Sequence, residues 1–202
     1  MKNISLKKLT KAMKKVQDAR RFEHTLGVEY TAAALAMCYG CDLVHAQAAG
    51  LLHDCAKCLS DEKRLAICER YKISMTASEK RSPFLLHAKV GAYLAGKKYG
   101  IKNQDILNAI RNHTTGRPEM SLLEKIIFVA DYIEPGRKQA PNLEEIRKLA
   151  FTNLDEALLI ILEDTLTYLK TSGSDIDPTT EETWRYYYEQ SLVSEDVKIN
   201  SV

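Results

Sequence analysis

The pattern of hydrophobic and polar positions predicts helices along most of the chain. Apolar residues recur every three or four positions, as on the buried face of an amphipathic helix. The first such stripe consists of Leu6, Leu9, Met13 and Val16, opposite several lysines. A sustained alternation of apolar and polar residues, which would indicate a strand, is not found. We therefore expect an all-α protein.

Residues that start or stop helices divide this pattern into segments. The candidate N-terminal caps are Asp42, Ser60, Asn103, Ser121, Asn142 and Asp177. Ser121 is followed three positions later by Glu124, which fits a capping box. A long apolar helix is predicted from about residue 154 to residue 170, and the segments 75–83 and 135–141 are predicted to be loops.

Length and composition indicate one soluble domain. We expect a single domain over residues 1–202, in which residues 171–202 form a C-terminal tail with a short helix that packs on it. The apolar run at 157–162 is far shorter than the roughly 18 residues of a spanning helix, so no membrane partner is expected. The first residues lack an apolar signal region, which favours the cytoplasm. A net charge of +2 gives no reason to expect nucleic acid, so we expect a small-molecule partner.

The cysteines allow an alternative interpretation. The chain has five: Cys38, Cys41, Cys55, Cys58 and Cys68. An odd number without a signal peptide favours reduced thiols. The first four form two C-x2-C pairs with a spacing close to that of zinc ribbons, which would suit a zinc-organised interaction module. Because both pairs lie within predicted helices, we favour plain packing of small thiols.

Histidines and aspartates recur where the predicted helices begin or end. Alone, each such histidine would be typical of a hydrogen-bonded core residue. Together, six nitrogen and oxygen ligands from different helices of one bundle favour a buried site for divalent ions. The six are His24, His53, Asp54, His87, His113 and Asp131. We expect His45, near the start of its helix, to face solvent.

This order of residues resembles that of the HD superfamily of metal-dependent phosphohydrolases. The blocks at 21–28, 53–57, 87–94 and 110–137 are similar to those of the YqeK-type branch. The resemblance implies a helical bundle of the HD-domain type and a di-iron centre. It also implies symmetric hydrolysis of diadenosine tetraphosphate, or a related dinucleoside tetraphosphate, into two ADP. The ligand types alone are also compatible with manganese, cobalt or zinc.

Hydrolysis of a phosphoanhydride requires charge neutralisation and an activated water, and two metal ions can supply both. Asp54 is the best candidate for a bridging ligand because a carboxylate has two oxygens. We expect one ion on His24, His53, Asp54 and Asp131, and the other on Asp54, His87 and His113. A water between the ions would become the attacking hydroxide. Lys57, one turn after His53, is the second candidate catalytic residue because its ammonium can offset phosphate charge.

Several further residues near these blocks could contact phosphate. The candidates are Arg21, Lys57, Thr114, Thr115, Gly116, Arg117 and Arg137. For each arginine a surface salt bridge is the alternative, and for the turn at 114–116 a structural role is equally compatible. Glu134 could orient a ligand or a base. The aromatic residues at 184–190 favour packing of the last helix over stacking on adenine.

Two other functions remain compatible with the sequence. The chain could be an HD-type phosphohydrolase of a dNTP, a nucleoside monophosphate or a cyclic nucleotide. It could also be a nucleotide-binding sensor without turnover. The length of the block at 110–137 favours dinucleoside tetraphosphates over other HD substrates, and the complete set of six ligands favours an enzyme over a sensor.

Overall fold

The computed structural model describes the backbone of residues 4–199 and the side chains of residues 4–193. This part of the chain contains eleven α-helices, one 3-10 turn and no strand. The helices are α1 Leu6–Val16, α2 Ala19–Tyr39, α3 Leu43–Leu52, α4 Asp61–Tyr71, α5 Ala77–Arg81, α6 His87–Lys97, α7 Gln104–Asn112, α8 Leu122–Ile133, α9 Leu143–Leu149, α10 Leu154–Thr171 and α11 Pro178–Ile199. The 3-10 turn spans Pro83–Leu86, directly before α6. The expected all-α fold is confirmed.

Most predicted caps are confirmed. The side chain of Asp42 accepts the backbone N–H of His45, and that of Ser60 accepts the N–H of Lys63. At α8, Ser121 and Glu124 form the reciprocal bonds of a capping box. These bonds satisfy N–H groups that have no partner inside the helix. They fix where each helix starts, and therefore where the residues at its ends lie.

Three details differ from the sequence-based predictions. The predicted loop 75–83 contains α5, started by a capping box of Thr76 and Glu79, and the first residue of the 3-10 turn. A helix of five residues is too short to leave a periodic signal. Asn142 does not cap α9, because its backbone is left-handed at φ 51° and its amide donates to Asp164 at 3.0 Å. The last helix is long, with 22 residues, rather than short.

The centre of the bundle is formed by α2, α3 and α8, which pack on one another. Leu35, Leu51 and Ile127 are fully buried there. Gly50 allows the closest approach of α2 and α3, because a Cβ at this position would lie 2.9 Å from the Cα of Glu29. Outside this centre, α10 packs on α8 and α11 packs on α10. The packing interpretation of the aromatic residues is confirmed for Tyr187, which is 7% exposed.

The cysteines do not form a zinc site in the described residues. The groups there that could hold a metal ion consist of histidines and aspartates only. Cys55 and Cys68 are buried, whereas Cys38 and Cys58 are exposed. Burial raises the pKa of the Cys55 thiol to about 12, so it is an uncharged packing residue. Within the described part of the chain, no helix has both the length and the apolarity needed to cross a bilayer.

Candidate metal centre

The structure brings the six predicted ligands together at one end of the central helices. Four of them directly follow or begin a helix, and two lie on the helices α2 and α8. In chain order they are His24 on α2, His53 and Asp54 after α3, His87 at the start of α6, His113 after α7 and Asp131 near the end of α8. The predicted convergence from separate parts of the chain is therefore observed.

Three of the histidines are oriented by the helix or turn that they follow. The last carbonyls of a helix have no partner within it, and each of these rings lies against one of them. The bonds are His53 Nδ1 to Gly50 O at 2.7 Å, His87 Nδ1 to Phe84 O at 2.6 Å and His113 Nδ1 to Ile110 O at 2.8 Å. A carbonyl oxygen only accepts, so each Nδ1 carries the hydrogen. In the neutral form of such a ring the lone pair is on Nε2, and all three Nε2 atoms face the centre.

His24 is oriented by a carboxylate instead. Its Nδ1 lies 3.2 Å from Oε1 of Glu134, which is 4% exposed. The other oxygen of Glu134 accepts the N–H of Gly136 at 2.5 Å. Gly27 leaves room for this carboxylate, because a Cβ there would lie 2.5 Å from Oε2 of Glu134. The expectation that Glu134 orients a ligand agrees with this geometry.

The Asp54 carboxylate lies between two groups of ligand atoms. Its Oδ2 is 3.4 Å from His53 Nε2 and 3.8 Å from His24 Nε2. Asp131 Oδ1 lies 3.1 Å from His24 Nε2 on the same side. We call His24, His53 and Asp131 the core half of the site.

The opposite oxygen of Asp54 faces the remaining two histidines. Oδ1 is 3.3 Å from His87 Nε2 and 3.6 Å from His113 Nε2. The two imidazole nitrogens are 3.1 Å apart. We call His87 and His113 the peripheral half of the site.

The residues present fit divalent metal ions. Oδ1 of Asp54 is buried and has no hydrogen-bond partner. It faces the Nε2 atoms of His87 and His113, which are acceptors when their Nδ1 atoms carry the hydrogen, so no donor reaches this carboxylate oxygen. Such an arrangement is costly unless a cation lies among the acceptors. Nitrogen and oxygen ligands without a thiolate suit iron, manganese, cobalt or zinc.

The protonation states of these groups also suit metal binding. Burial by itself raises the pKa of Asp54, but the neighbouring imidazoles hold it well below its ordinary value. The pKa of Asp131 is lowered in the same way, against the effect of burial, by His24 and His53. Burial and the nearby Lys57 lower the pKa of His87 well below its ordinary value. Ionised carboxylates and a neutral imidazole are the forms that bind metals.

Lys57 and Thr114 lie at the peripheral half. The ammonium of Lys57 is 3.3 Å from Nε2 of His87 and 5.6 Å from the ring centroid of Phe84. Burial lowers the pKa of Lys57, although Asp54 opposes this effect. Oγ1 of Thr114 is 3.4 Å from His87 Nε2. Both side chains can therefore contact a small molecule that is bound beside His87.

Two predicted arginines border the core half. Arg21 Nη1 lies 2.7 Å from Asp54 Oδ2, and Arg137 Nη2 lies 3.2 Å from Asp131 Oδ1. Both arginines line a cleft of about 690 Å³, together with Arg20 and Lys138. Four cationic side chains line this cleft beside the carboxylates of Glu23 and Glu134, so positive charge is in excess there.

The phosphate contacts of Thr115, Gly116 and Arg117 stay predictions, and in the structure these residues bond to partners within the protein. The guanidinium of Arg117 donates to both oxygens of the buried Glu124, at 2.8 and 2.6 Å. The N–H of Gly116 donates to Asn112 O at 2.8 Å, and the Thr115 hydroxyl donates to Gly116 O at 3.1 Å. These bonds agree with a structural role for this part of the turn.

Glu124 has a second role that the sequence did not indicate. Besides capping α8, it accepts from Asn112 at 2.6 Å and binds Arg117 as a bidentate partner. These bonds fix the turn that follows His113. Only the capping-box spacing was visible in the sequence, because the other partners depend on how the turn folds.

Comparison with known proteins identifies the family. The family model described as HD domain matches residues 21–136. A Bacillus subtilis (strain 168) protein named symmetrical bis(5'-nucleosyl)-tetraphosphatase is 44% identical over 160 residues, or 79% of this chain and 85% of that protein. A Halalkalibacterium halodurans protein of the same name is 46% identical over 160 residues, or 79% and 84%. A third, from Staphylococcus aureus, is 33% identical over 196 residues, or 96% and 100%.

A solved structure has the same fold. It is a Clostridium acetobutylicum protein described as a predicted HD superfamily hydrolase involved in NAD metabolism. The TM-score is 0.89 at 42% identity, over 92% of this chain and 98% of that one. The resemblance found in the sequence is thereby confirmed. This chain belongs to the HD-domain family and, within it, to the group of the symmetrical bis(5'-nucleosyl)-tetraphosphatases.

Proposed function

We propose that this protein hydrolyses diadenosine tetraphosphate, or a related dinucleoside tetraphosphate, symmetrically into two ADP. The observation that carries the proposal is the Asp54 carboxylate, which faces two groups of ligand atoms beside a cationic cleft. The names of the relatives that are 44% and 46% identical support this choice of substrate. The small anionic substrate would reach the centre through the cleft.

The proposed centre has two metal ions. The core half and Asp54 Oδ2 would hold one ion, and the peripheral half and Asp54 Oδ1 would hold the other. Ions bound there would supply positive charge for phosphate oxygens and lower the pKa of a water molecule. We propose iron as the metal, with manganese, cobalt and zinc as alternatives that the same ligand atoms accept.

The side chains around the ligands would bind and orient the polyphosphate. Arg21 and Arg137 present planar guanidiniums at the cleft, a geometry that matches phosphate oxygens. Each now pairs with an aspartate of the site, at 2.7 and 3.2 Å, and would exchange this partner for phosphate. Lys57 and Thr114, at the peripheral half, would contact the phosphate on the other side. Its substrate being a nucleotide, we expect the protein to act in the cytoplasm.

Product analysis tests this proposal. Purified protein would be loaded with Fe, Mn, Co or Zn and incubated with diadenosine tetraphosphate, and the products would be separated by anion-exchange chromatography. We expect ADP as the only product, whereas ATP and AMP in equal amounts would contradict symmetric cleavage. A dNTP, AMP and a cyclic nucleotide belong in the same assay. Faster hydrolysis of any of these would favour a different HD substrate, and binding of diadenosine tetraphosphate without turnover would favour a sensor.

A further inference from the structure

The helix α11 lies outside residues 21–136, which the HD-domain model matches, yet it contacts both segments that carry the peripheral half. One of these segments leads into His87, and the other follows His113. The contacts include hydrogen bonds of two buried side chains, those of Asp177 and Tyr187. They connect the C-terminal part of the chain, through these two segments, to two predicted metal ligands.

The first contact is made by Asp177, which directly precedes α11 and is 4% exposed. Its Oδ1 accepts the N–H of Thr179 at 2.9 Å, as expected for a helix cap. Its Oδ2 accepts the hydroxyls of Thr76 at 2.7 Å and of Ser78 at 2.5 Å. A cap requires only the first of these bonds. The other two connect α11 to a segment about a hundred residues earlier in the chain.

The segment held by Asp177 leads to His87 over a short path. Thr76 starts α5, and the 3-10 turn that follows supplies the Phe84 carbonyl that accepts from His87 Nδ1 at 2.6 Å. A second bond links α5 directly to α6, because Lys89 on α6 donates to Glu79 on α5 at 2.7 Å. The position of the Phe84 carbonyl therefore depends on where α5 is held.

The second contact braces the turn after His113. A Cβ at Gly116 would lie 2.6 Å from Cγ2 of Thr183, so α11 approaches this turn as closely as a glycine permits. The hydroxyl of Tyr187, one helical turn further on, accepts the N–H of Met120 at 2.9 Å. The core half receives no such support in the described residues, since its ligands lie on or next to α2, α3 and α8.

We propose that Asp177 is a positioning residue for the peripheral half: by binding Thr76 and Ser78 it holds the segment that orients His87 for metal binding. This inference rests on the proposed role of His87 as a metal ligand. A purely structural cap would stabilise α11 without affecting the metal affinity of His87. A buried carboxylate also costs free energy unless its oxygens are hydrogen-bonded, and here both oxygens are bonded.

The test compares three variants. Asp177→Ala removes the cap and both hydroxyl contacts, whereas Ser78→Ala removes one contact and keeps Asp177 as the cap. Asn153→Ala is the matched control, since Asn153 caps α10 by an equivalent bond to Glu156 and contacts neither ligand segment. Mn²⁺ titration by calorimetry measures the number of ions and their affinities. Hydrogen exchange measures protection of the backbone at residues 83–89 in the metal-free protein.

We expect two ions in the wild type and about tenfold weaker binding of one of them in Asp177→Ala, as for loss of a bond that orients a ligand. Ser78→Ala should weaken the same ion by a smaller factor, and both should speed exchange at 83–89. Asn153→Ala should change neither. Wild-type affinity in both Asp177→Ala and Ser78→Ala, equal weakening in Asn153→Ala, or a wild type that binds one ion would each overturn the inference. A protein that binds two ions and leaves diadenosine tetraphosphate intact would contradict the proposed function alone.

Discussion

The two halves of the site differ in how their ligands are supported and in how far they are exposed. The ligands of the core half lie on or directly after central helices, yet the side chains of His24 and Asp131 are 13% and 25% exposed, while that of His53 is 0% exposed. The ligands of the peripheral half depend on short segments braced by α11, yet His87 and His113 are 1% and 2% exposed. A ligand held by the central helices can therefore be partly exposed, and a ligand held by the outer segments can be buried.

This difference indicates the side from which a small molecule would enter the site. The core half opens into the cleft lined by Arg21 and Arg137, so its rigid helices form the entrance. The peripheral half forms the closed end, where Lys57 is the cation within reach. The entrance lies on central helices and has Glu134 as an added polar contact, whereas the closed end is assembled from turns that α11 and Asp177 hold by polar contacts.

Asp54 is the one ligand that the two halves share, so Asp54→Ala is expected to remove the distinction between them. Loss of its charge from both halves should lower hydrolysis of diadenosine tetraphosphate by about a thousandfold, equivalent to several kcal/mol of transition-state stabilisation. The metal content, measured by atomic absorption, should also fall. His45→Ala, on α3 but outside the site, is the control. A variant that retained two ions and full activity would contradict the shared-ligand assignment.

Lys57→Met should affect the closed end alone. The apolar part of the side chain is kept, while the ammonium 3.3 Å from His87 is lost. We expect kcat to fall by about a hundredfold, because one charge-stabilising group is removed, with little change in metal content. Steady-state kinetics and metal analysis measure both. The exposed Lys63 on α4 provides the control Lys63→Met. An unchanged kcat would show that Lys57 has no part in the reaction.

Glu134→Gln should act on the entrance alone. Glu134 is a carboxylate that faces Nδ1 of His24, whereas the Nδ1 atoms of the other three rings lie against backbone carbonyl oxygens. Loss of its charge should weaken binding of one ion by about tenfold or more. Mn²⁺ titration measures this, and the exposed Glu23 gives the control Glu23→Gln. Equal weakening of both ions would mean that the halves are not independent.

The smallest effect is expected for Glu124, which fixes the turn behind His113. Burial raises its pKa, but Arg117, Ser121 and Asn112 together hold the pKa below its ordinary value of 4.5. A carboxylate whose pKa is lowered on folding stabilises the protein above that ordinary value, and this contribution is lost as the pH falls below it. Glu124→Gln should therefore cost about 2 kcal/mol of unfolding free energy at pH 7 and less at pH 3.5.

Urea unfolding at the two pH values measures this cost. The exposed neighbour Glu119 supplies the control Glu119→Gln, whose stability should stay close to wild type at both pH values. A cost for Glu124→Gln that was the same at pH 7 and pH 3.5 would contradict the assigned ion pair. Activity at pH 7 should change by less than about threefold, because the folded protein keeps its ligands.

The sequence predicted which side chains converge because several of them are tied to a local signal. His53 and His113 directly follow helices whose starts are marked by Asp42 and Asn103, so their places could be counted along the chain. The supporting residues Glu124 and Asp177 were recognised from the sequence only as helix caps. Their other partners, Asn112 for Glu124 and Ser78 for Asp177, depend on tertiary packing.

The segments without periodicity were predicted least well. Residues 75–83 lack the length for a helical pattern, and the five-residue α5 forms there because its capping box and Asp177 hold it. The turn at 114–117 carried donors of the right type for phosphate, but folding commits Gly116 and Arg117 to protein acceptors. Residue type alone cannot distinguish a donor that is used internally from one that is available.

The bond from a histidine Nδ1 to the carbonyl three residues earlier occurs at His53, His87 and His113. Each such unit needs only four consecutive residues and a helix or turn that ends at the histidine. For protein design, this makes the unit portable: a histidine placed directly after a helix receives its ring orientation from the main chain. Only the relative placement of the helix ends would then have to be engineered.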